Sequence, residues 1–144
     1  NIGAGKHDRA TGTLHYALLI TVGYGIVVAI VMQFVSYHVV GLFTDDTVVV
    51  RLGDQYLQSY IWDTVFAGIH FSFSGYFCAY GLSAISFIHN VLSILCVRIP
   101  GAYLASVYYP NTLYPMGLAA PGGSLLSVLI CVIAFVVMKK RRHV

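Results

Sequence analysis

Charged residues are scarce in this sequence, and glutamate is absent altogether. Only 9% of its 144 residues are Asp, Glu, Lys or Arg, against about 25% in an average soluble domain. Hydrophobic residues make up 58% of the chain, and the mean hydropathy is +0.81. Cysteine is also rare. Its three residues lie in apolar stretches, and they do not form C-x-x-C or another metal-binding spacing. These shortages exclude a single soluble core and indicate a membrane-embedded chain with neither a metal site nor a cofactor.

Long apolar runs predict four transmembrane helices, because a crossing needs about 20 mostly apolar residues. The expected fold class is therefore an all-α membrane protein. The predicted crossings are residues 14–43, 55–81, 83–109 and 116–138, with a polar segment at 1–13 and a basic tail at 139–144. The glycine-rich start of the fourth crossing is expected to be bent or closely packed.

Lysine and arginine concentrate at the two ends of the chain. Segment 1–13 holds two and the tail four, whereas the loops 44–54 and 110–115 hold one between them. Loops rich in Lys and Arg face the cytoplasm, so both termini are expected there, in agreement with an even number of crossings. The predicted location is a cell membrane, with the lipid bilayer as a partner. Asp63 then lies about 13 Å along a helix that begins at the outer face.

Asp63 is the one acidic residue inside a predicted crossing. An ionised acid is costly against lipid, so it is expected to face the bundle interior. At helical spacing it shares a face with Tyr60, His70 and Ser74. A carboxylate that loses hydration binds a proton more readily, and His70 could extend a proton relay. Alternatively Asp63 holds a bare cation with the Tyr60 hydroxyl completing the oxygen shell, or it serves helix assembly alone.

The third predicted crossing carries its own polar residues. Pro100 removes a backbone donor, which predicts a kink. Arg98, two residues earlier, is either a pathway residue or a structural one that snorkels to the nearer surface or binds backbone carbonyls. Asn90 is a further possible pathway residue, although it and His89 could equally hold helices together.

Four stretches occur in a characteristic order along the chain: NIGAGKHDRA, SYIWDTVFAGIHFSFSGYFCAYG, RIPGAYL and MGLAAPGGSLLS. Their order and spacing resemble the C-terminal third of a multidrug and toxic compound extrusion (MATE) efflux transporter. The bacterial branch that includes the DNA-damage-inducible, DinF-like proteins is the most similar. The resemblance covers the whole chain.

This resemblance implies a twelve-helix transporter of two six-helix lobes, to which the chain contributes the last four helices, in the C-terminal lobe. Such transporters exchange cationic or amphipathic drugs for protons or sodium by alternating access. In one branch an Asp and a Tyr of the tenth helix form a cation site with a Glu of the seventh. Asp63 matches that Asp, and Tyr60 matches that Tyr with a spacing one residue shorter. The Glu would lie outside this chain.

The resemblance also implies partners and a location. The implied partners are small cationic or amphipathic substrates and the remaining helices of a full-length transporter, and nucleic acid is not among them. The chain is accordingly expected to be a piece of a longer protein, in a bacterial inner membrane.

Two other functions stay open. One is a lipid or lipid-linked oligosaccharide flippase of the same superfamily, which additional cations inside the cavity would favour. The other is a non-transporting four-helix membrane subunit, in which Asp63 would be buried against another helix. An enzyme is not expected, because the chain lacks H-E-x-x-H, G-x-S-x-G and paired intramembrane acids.

Overall fold

A computed structural model describes residues 1–142 of the chain, with side chains up to residue 140, and contains no strand in that range. The predicted all-helical class is therefore confirmed. The helices are α1 (His7–Gly41), α2 (Thr47–Tyr60), α3 (Asp63–Ala79), α4 (Ser83–Ser93), a π-helical turn (Ile94–Arg98), α5 (Ile99–Tyr108), α6 (Tyr114–Gly117) and α7 (Ala119–Arg142).

Three helical segments of the described chain are long and apolar enough to cross a membrane: His7–Gly41, Ser83–Tyr108 and Tyr114–Lys140. They coincide with the first, third and fourth predicted crossings. The second predicted crossing, 55–81, is instead divided between α2, of 14 residues, and α3, of 17 residues. Neither helix reaches the length of a crossing by itself, because the helix is interrupted between them.

The helix α2 begins within the stretch 44–54, which the sequence predicts as a loop. Asp46 caps it, since its carboxylate accepts hydrogen bonds from the backbone N–H groups two and three residues later, at 2.9 and 3.3 Å. Asp54 is consequently helical, and it accepts hydrogen bonds from Ser36 of α1 and from Gln58 one turn later on α2. The prediction of a loop over 44–54 is wrong from Thr47 onwards. The charge of Asp54 is tolerated on a packed helix face because hydrogen-bond donors lie next to its carboxylate.

The helix α3 is the centre of the bundle, with α1 and α7 packed against it. Its residues Phe73 and Phe77 are buried together with Leu14 of α1 and Cys131 of α7. The ring of Phe73 meets that of Phe135 with centroids 5.6 Å apart. This apolar core fixes the position of α3, and hence of Asp63 at its start, relative to α7.

Gly25 allows the backbones of α1 and α3 to approach closely, and we expect Gly25→Ala to destabilise the protein. A Cβ at Gly25 would lie 3.0 Å from Cα of Val65 and 3.2 Å from its nitrogen, whereas a Cβ at Gly23 would have no neighbour within 4 Å. Overpacking costs about 1–3 kcal/mol, while Ala is favoured over Gly in a helix by about 1 kcal/mol.

The measurement is thermal unfolding of the purified protein in detergent. Gly25→Ala should lower the midpoint, and Gly23→Ala should leave it unchanged or raise it. Equal midpoints for the two variants would show that this helix contact does not limit stability.

Candidate functional site

Asp63 lies at the interruption between α2 and α3. The N–H of Thr64 donates to the carbonyl of Ile61 at 3.1 Å, and the next N–H also bonds three residues back, at 3.2 Å. The Thr64 hydroxyl donates to the same Ile61 carbonyl, so it competes with the backbone for that acceptor. Asp63 therefore starts a new helix, whose N-terminus favours a negative charge, and it remains only 7% exposed.

The position of Asp63 along its helical stretch differs from the sequence-based expectation. The helical stretch that contains it begins at Thr47 rather than near Gln55. At about 1.5 Å per residue, Asp63 lies about 24 Å along this stretch, midway between Thr47 and Ala79. Its position is central, not near one end.

Arg98 ends the π-helical turn Ile94–Arg98. The N–H of Ile99 bonds the carbonyl of Ile94, five residues earlier. Pro100 lacks an N–H, and its ring crowds the carbonyl four residues before it, so a wider turn relieves the conflict. At the position of the predicted kink, the structure therefore has a π-helical turn. π-helical turns inside α-helices are frequent at functional sites.

Asp63 and Arg98 form an ion pair that joins the two interrupted helices. Nη2 of Arg98 lies 3.4 Å from Oδ1 and 3.5 Å from Oδ2 of Asp63, and it donates to Oγ of Ser124 at 2.7 Å. The Asp63 side chain is 10% exposed and that of Arg98 is 33% exposed. Arg98 thus binds a carboxylate and a hydroxyl, rather than backbone carbonyls, in the described chain.

The helix α7 can approach this ion pair because residue 123 is a glycine. A Cβ at Gly123 would lie 2.5 Å from Cγ of Arg98 and 2.8 Å from Oγ of Ser93. A Cβ at the adjacent Gly122 would meet its nearest atom, of Val97, at 3.5 Å, an ordinary contact. The close packing predicted for the start of the fourth crossing is therefore confirmed.

Two buried histidines continue the polar groups beyond Ser124. Oγ of Ser124 lies 3.4 Å from Nε2 of His70, whose ring faces that of His89 with centroids 5.5 Å apart. Nε2 of His89 lies 2.8 Å from Oγ of Ser74, and the Ser127 hydroxyl donates to the His89 carbonyl at 3.2 Å. We call the following side chains the polar cluster: Asp63, Arg98, Ser124, His70, His89 and Ser74.

The predicted site residues divide into two groups. Those that the structure brings together with Asp63 in the polar cluster are His70, Ser74 and Arg98. Tyr60 stays outside, because it is 37% exposed and stacks on Tyr56 with ring centroids 5.5 Å apart. It makes no hydrogen bond to Asp63 in the part of the chain that the structure describes. Asn90 is half-buried and likewise makes no side-chain hydrogen bond there. The functional roles of all these residues stay predictions.

Ser124 and His89 are the cluster members that sequence patterns do not select. Ser124 and Ser127 stand three residues apart and share a helical face. That spacing is the one sequence feature that could have indicated a polar contact on this face. The composition of the surrounding stretch indicates only small packing residues. His89 is indicated only as a contact between helices, since its sequence position does not reveal that it meets His70.

A separate cavity of about 490 Å³ lies between α1 and α3. Its walls include Leu14, Ala17, Gly75 and Tyr76, and none of the polar cluster lines it. The polar cluster is therefore packed between helices rather than placed on the wall of this cavity.

Comparison with known proteins gives one match. A family model described as MatE matches residues 1–104 of the chain. Neither the curated proteins nor the solved structures provide a match.

Proposed function

Because the chain belongs to the MatE family, a family of membrane transporters, we propose that it is part of a secondary active antiporter. In this proposal the antiporter exports cationic or amphipathic compounds in exchange for protons or sodium. The chain supplies the last four of twelve helices, in the C-terminal lobe, and the protein belongs to the DinF-like branch. Alternating access rocks one repeat against the other around a central site, so the remaining helices are required.

The observation that carries the proposal is the partly buried ion pair between Asp63 and Arg98. It joins two helices at the points where their regular hydrogen bonding is interrupted. Broken helices and intramembrane charges mark ion and substrate paths in transporters. A proton or a cation that binds Asp63 competes directly with the guanidinium group of Arg98. Loading of the site therefore releases a contact that holds α3 to the third predicted crossing.

The arrangement in the membrane follows from treating α2 and α3 as one interrupted crossing. Together they extend over Thr47–Ala79, about 50 Å at 1.5 Å per residue, which exceeds the hydrocarbon core of about 30 Å. Added to the three apolar helices, they give four crossings. Both termini then lie in the cytoplasm, as the Lys and Arg distribution predicts, in a bacterial inner membrane.

The test is efflux of ethidium by the full-length transporter that includes this chain. Asp63→Asn should reduce efflux at least fivefold, because the amide neither titrates nor attracts a cation. Asp54→Asn is the matched control, since Asp54 is a helical carboxylate bonded to Ser36 and Gln58 and is outside the polar cluster. Unchanged efflux by Asp63→Asn would remove Asp63 from the mechanism.

The same experiment separates the alternatives. A flippase would move a lipid-linked oligosaccharide across liposomes and leave ethidium in place. A non-transporting subunit would move neither compound. Efflux by the 144-residue chain alone would contradict the requirement for further helices.

A further inference from the structure

His70 and His89 form a buried pair whose ring nitrogens are only half satisfied. They are 2% and 0% exposed, and their rings are inclined by 67°. Nε2 of each ring bonds a serine hydroxyl, whereas Nδ1 of each has no hydrogen-bond partner among the described residues. A buried polar group without a partner destabilises a fold. Two apolar side chains would fill this position at a lower cost.

We propose that His70 and His89 are the proton-binding pair of this transporter, so that the proton is its coupling ion. The proposal rests on the proposed function, because it names the ion and the carrier of that same exchange. Imidazole is the side chain that exchanges protons near neutral pH. Sodium, as a hard cation, is bound by oxygen ligands, and neither ring offers one.

Ser124 can pass a hydrogen bond on to His70. The guanidinium group of Arg98 can only donate, so Ser124 accepts from it at 2.7 Å. The Ser124 hydroxyl is then free to donate to Nε2 of His70, and in that arrangement the proton of the neutral ring is on Nδ1. A proton that arrives at Nε2 makes an imidazolium, and loss of the Nδ1 proton restores the neutral ring. His89 is a neighbouring base, since its ring centroid lies 5.5 Å from that of His70.

The charges that face the pair give a physical reason for exchange. They are Asp63 at the start of α3 and Arg98 in the π-helical turn, while α7 contributes only the hydroxyl groups of Ser124 and Ser127. While Arg98 binds Asp63, the two opposite charges largely cancel at the histidine pair. A substrate cation that takes Asp63 leaves Arg98 uncompensated. Its positive charge then opposes an imidazolium ion, so the proton leaves as the substrate binds.

Polar groups continue from His89 towards the turn at Gly81. Ser74 bonds Nε2 of His89, and the Ser86 hydroxyl donates to the Ser74 carbonyl at 3.3 Å. Sγ of Cys78 lies 3.7 Å from Oγ of Ser86, and Cys78 is exposed. A line of polar groups, which passes through the backbone carbonyl of Ser74, therefore leads from the pair towards the end of α3.

The first experiment uses the full-length transporter in liposomes with ethidium as the substrate. An imposed proton gradient should drive accumulation, and a sodium gradient of equal size should not. Accumulation driven by sodium alone would overturn the assignment of the ion and leave the proposed antiport function standing. A wild-type protein that moves no ethidium under either gradient would instead contradict the proposed function.

The second experiment compares the double variant His70→Gln/His89→Gln with His38→Gln, which changes an exposed histidine. The double variant should lose proton-driven accumulation at least tenfold, whereas His38→Gln should keep it within twofold. Retained proton-driven accumulation in the double variant would overturn the proposal. Infrared difference spectra of wild-type protein with labelled histidine separate a loss of proton binding from a folding defect. Ethidium binding should shift imidazole protonation bands, and their absence would overturn the proposal.

Discussion

Arg98→Met is expected to destabilise the full-length transporter by about 3 kcal/mol, because it leaves the carboxylate of Asp63 buried without its cation. Removing one partner of a buried pair costs about 3–5 kcal/mol. The lower end applies here, since a third of the Arg98 side chain is exposed. Met has a similar length to the aliphatic part of Arg, so the loss reports the charge more than the packing.

The double variant Asp63→Asn/Arg98→Met tests the cause of that loss. It removes both charges, and the amide introduced at position 63 is neutral, so no buried charge is left unpaired and most of the stability should return. Arg51→Met is the matched control, because Arg51 is exposed on α2 and should matter little. The measurement is denaturant or thermal unfolding of purified protein. If the double variant is as unstable as Arg98→Met, the ion pair is not the source of the effect.

Gly123→Ala is expected to reduce ethidium efflux at least tenfold, whereas Gly122→Ala should leave it within twofold. The new Cβ at residue 123 would lie 2.5 Å from Cγ of Arg98 and 2.8 Å from Oγ of Ser93, so the Arg98 side chain must shift from the position in which it pairs with Asp63. At residue 122 the nearest atom would be 3.5 Å away. Both variants gain the same helix propensity, and the comparison therefore isolates the contacts of residue 123 with Arg98 and Ser93.

Efflux should be measured alongside the amount of folded transporter in the membrane. A Gly123→Ala protein that is abundant but inactive would show that the position of Arg98 controls transport. Equal efflux by the two alanine variants would show that Arg98 moves without consequence, and it would weaken the role given to the ion pair.

The variants Arg98→Met and Gly123→Ala both test the ion pair between Asp63 and Arg98. Asp63 and Arg98 lie on helices whose regular hydrogen bonding fails at those positions, and α7 holds the pair through Ser124. An interrupted helix can change its local geometry at less cost than a regular one. The pair is therefore placed where a change in charge can alter the packing of helices.

Much of the fold could be predicted from the sequence, because the bilayer imposes a simple rule. Mostly apolar runs of about 20 residues cross a membrane as helices, and three such helices are found where the sequence places them. Asp63 could be singled out because a carboxylate inside an apolar run has few structural explanations. Helical periodicity then selects His70 and Ser74 on the same helix face.

The sequence by itself determined the helical class and the membrane setting, and it singled out Asp63 as a candidate, since these depend on local composition and on the cost of burying charge. Only the tertiary structure decided the partners of Asp63. Tyr60 lies near in sequence but stacks elsewhere. Arg98 lies 35 residues beyond Asp63 yet pairs with it, and Ser124, 61 residues beyond Asp63, binds Arg98. Which distant helices touch depends on small residues such as Gly123 and on a π-helical turn, and helical periodicity carries no information about either contact.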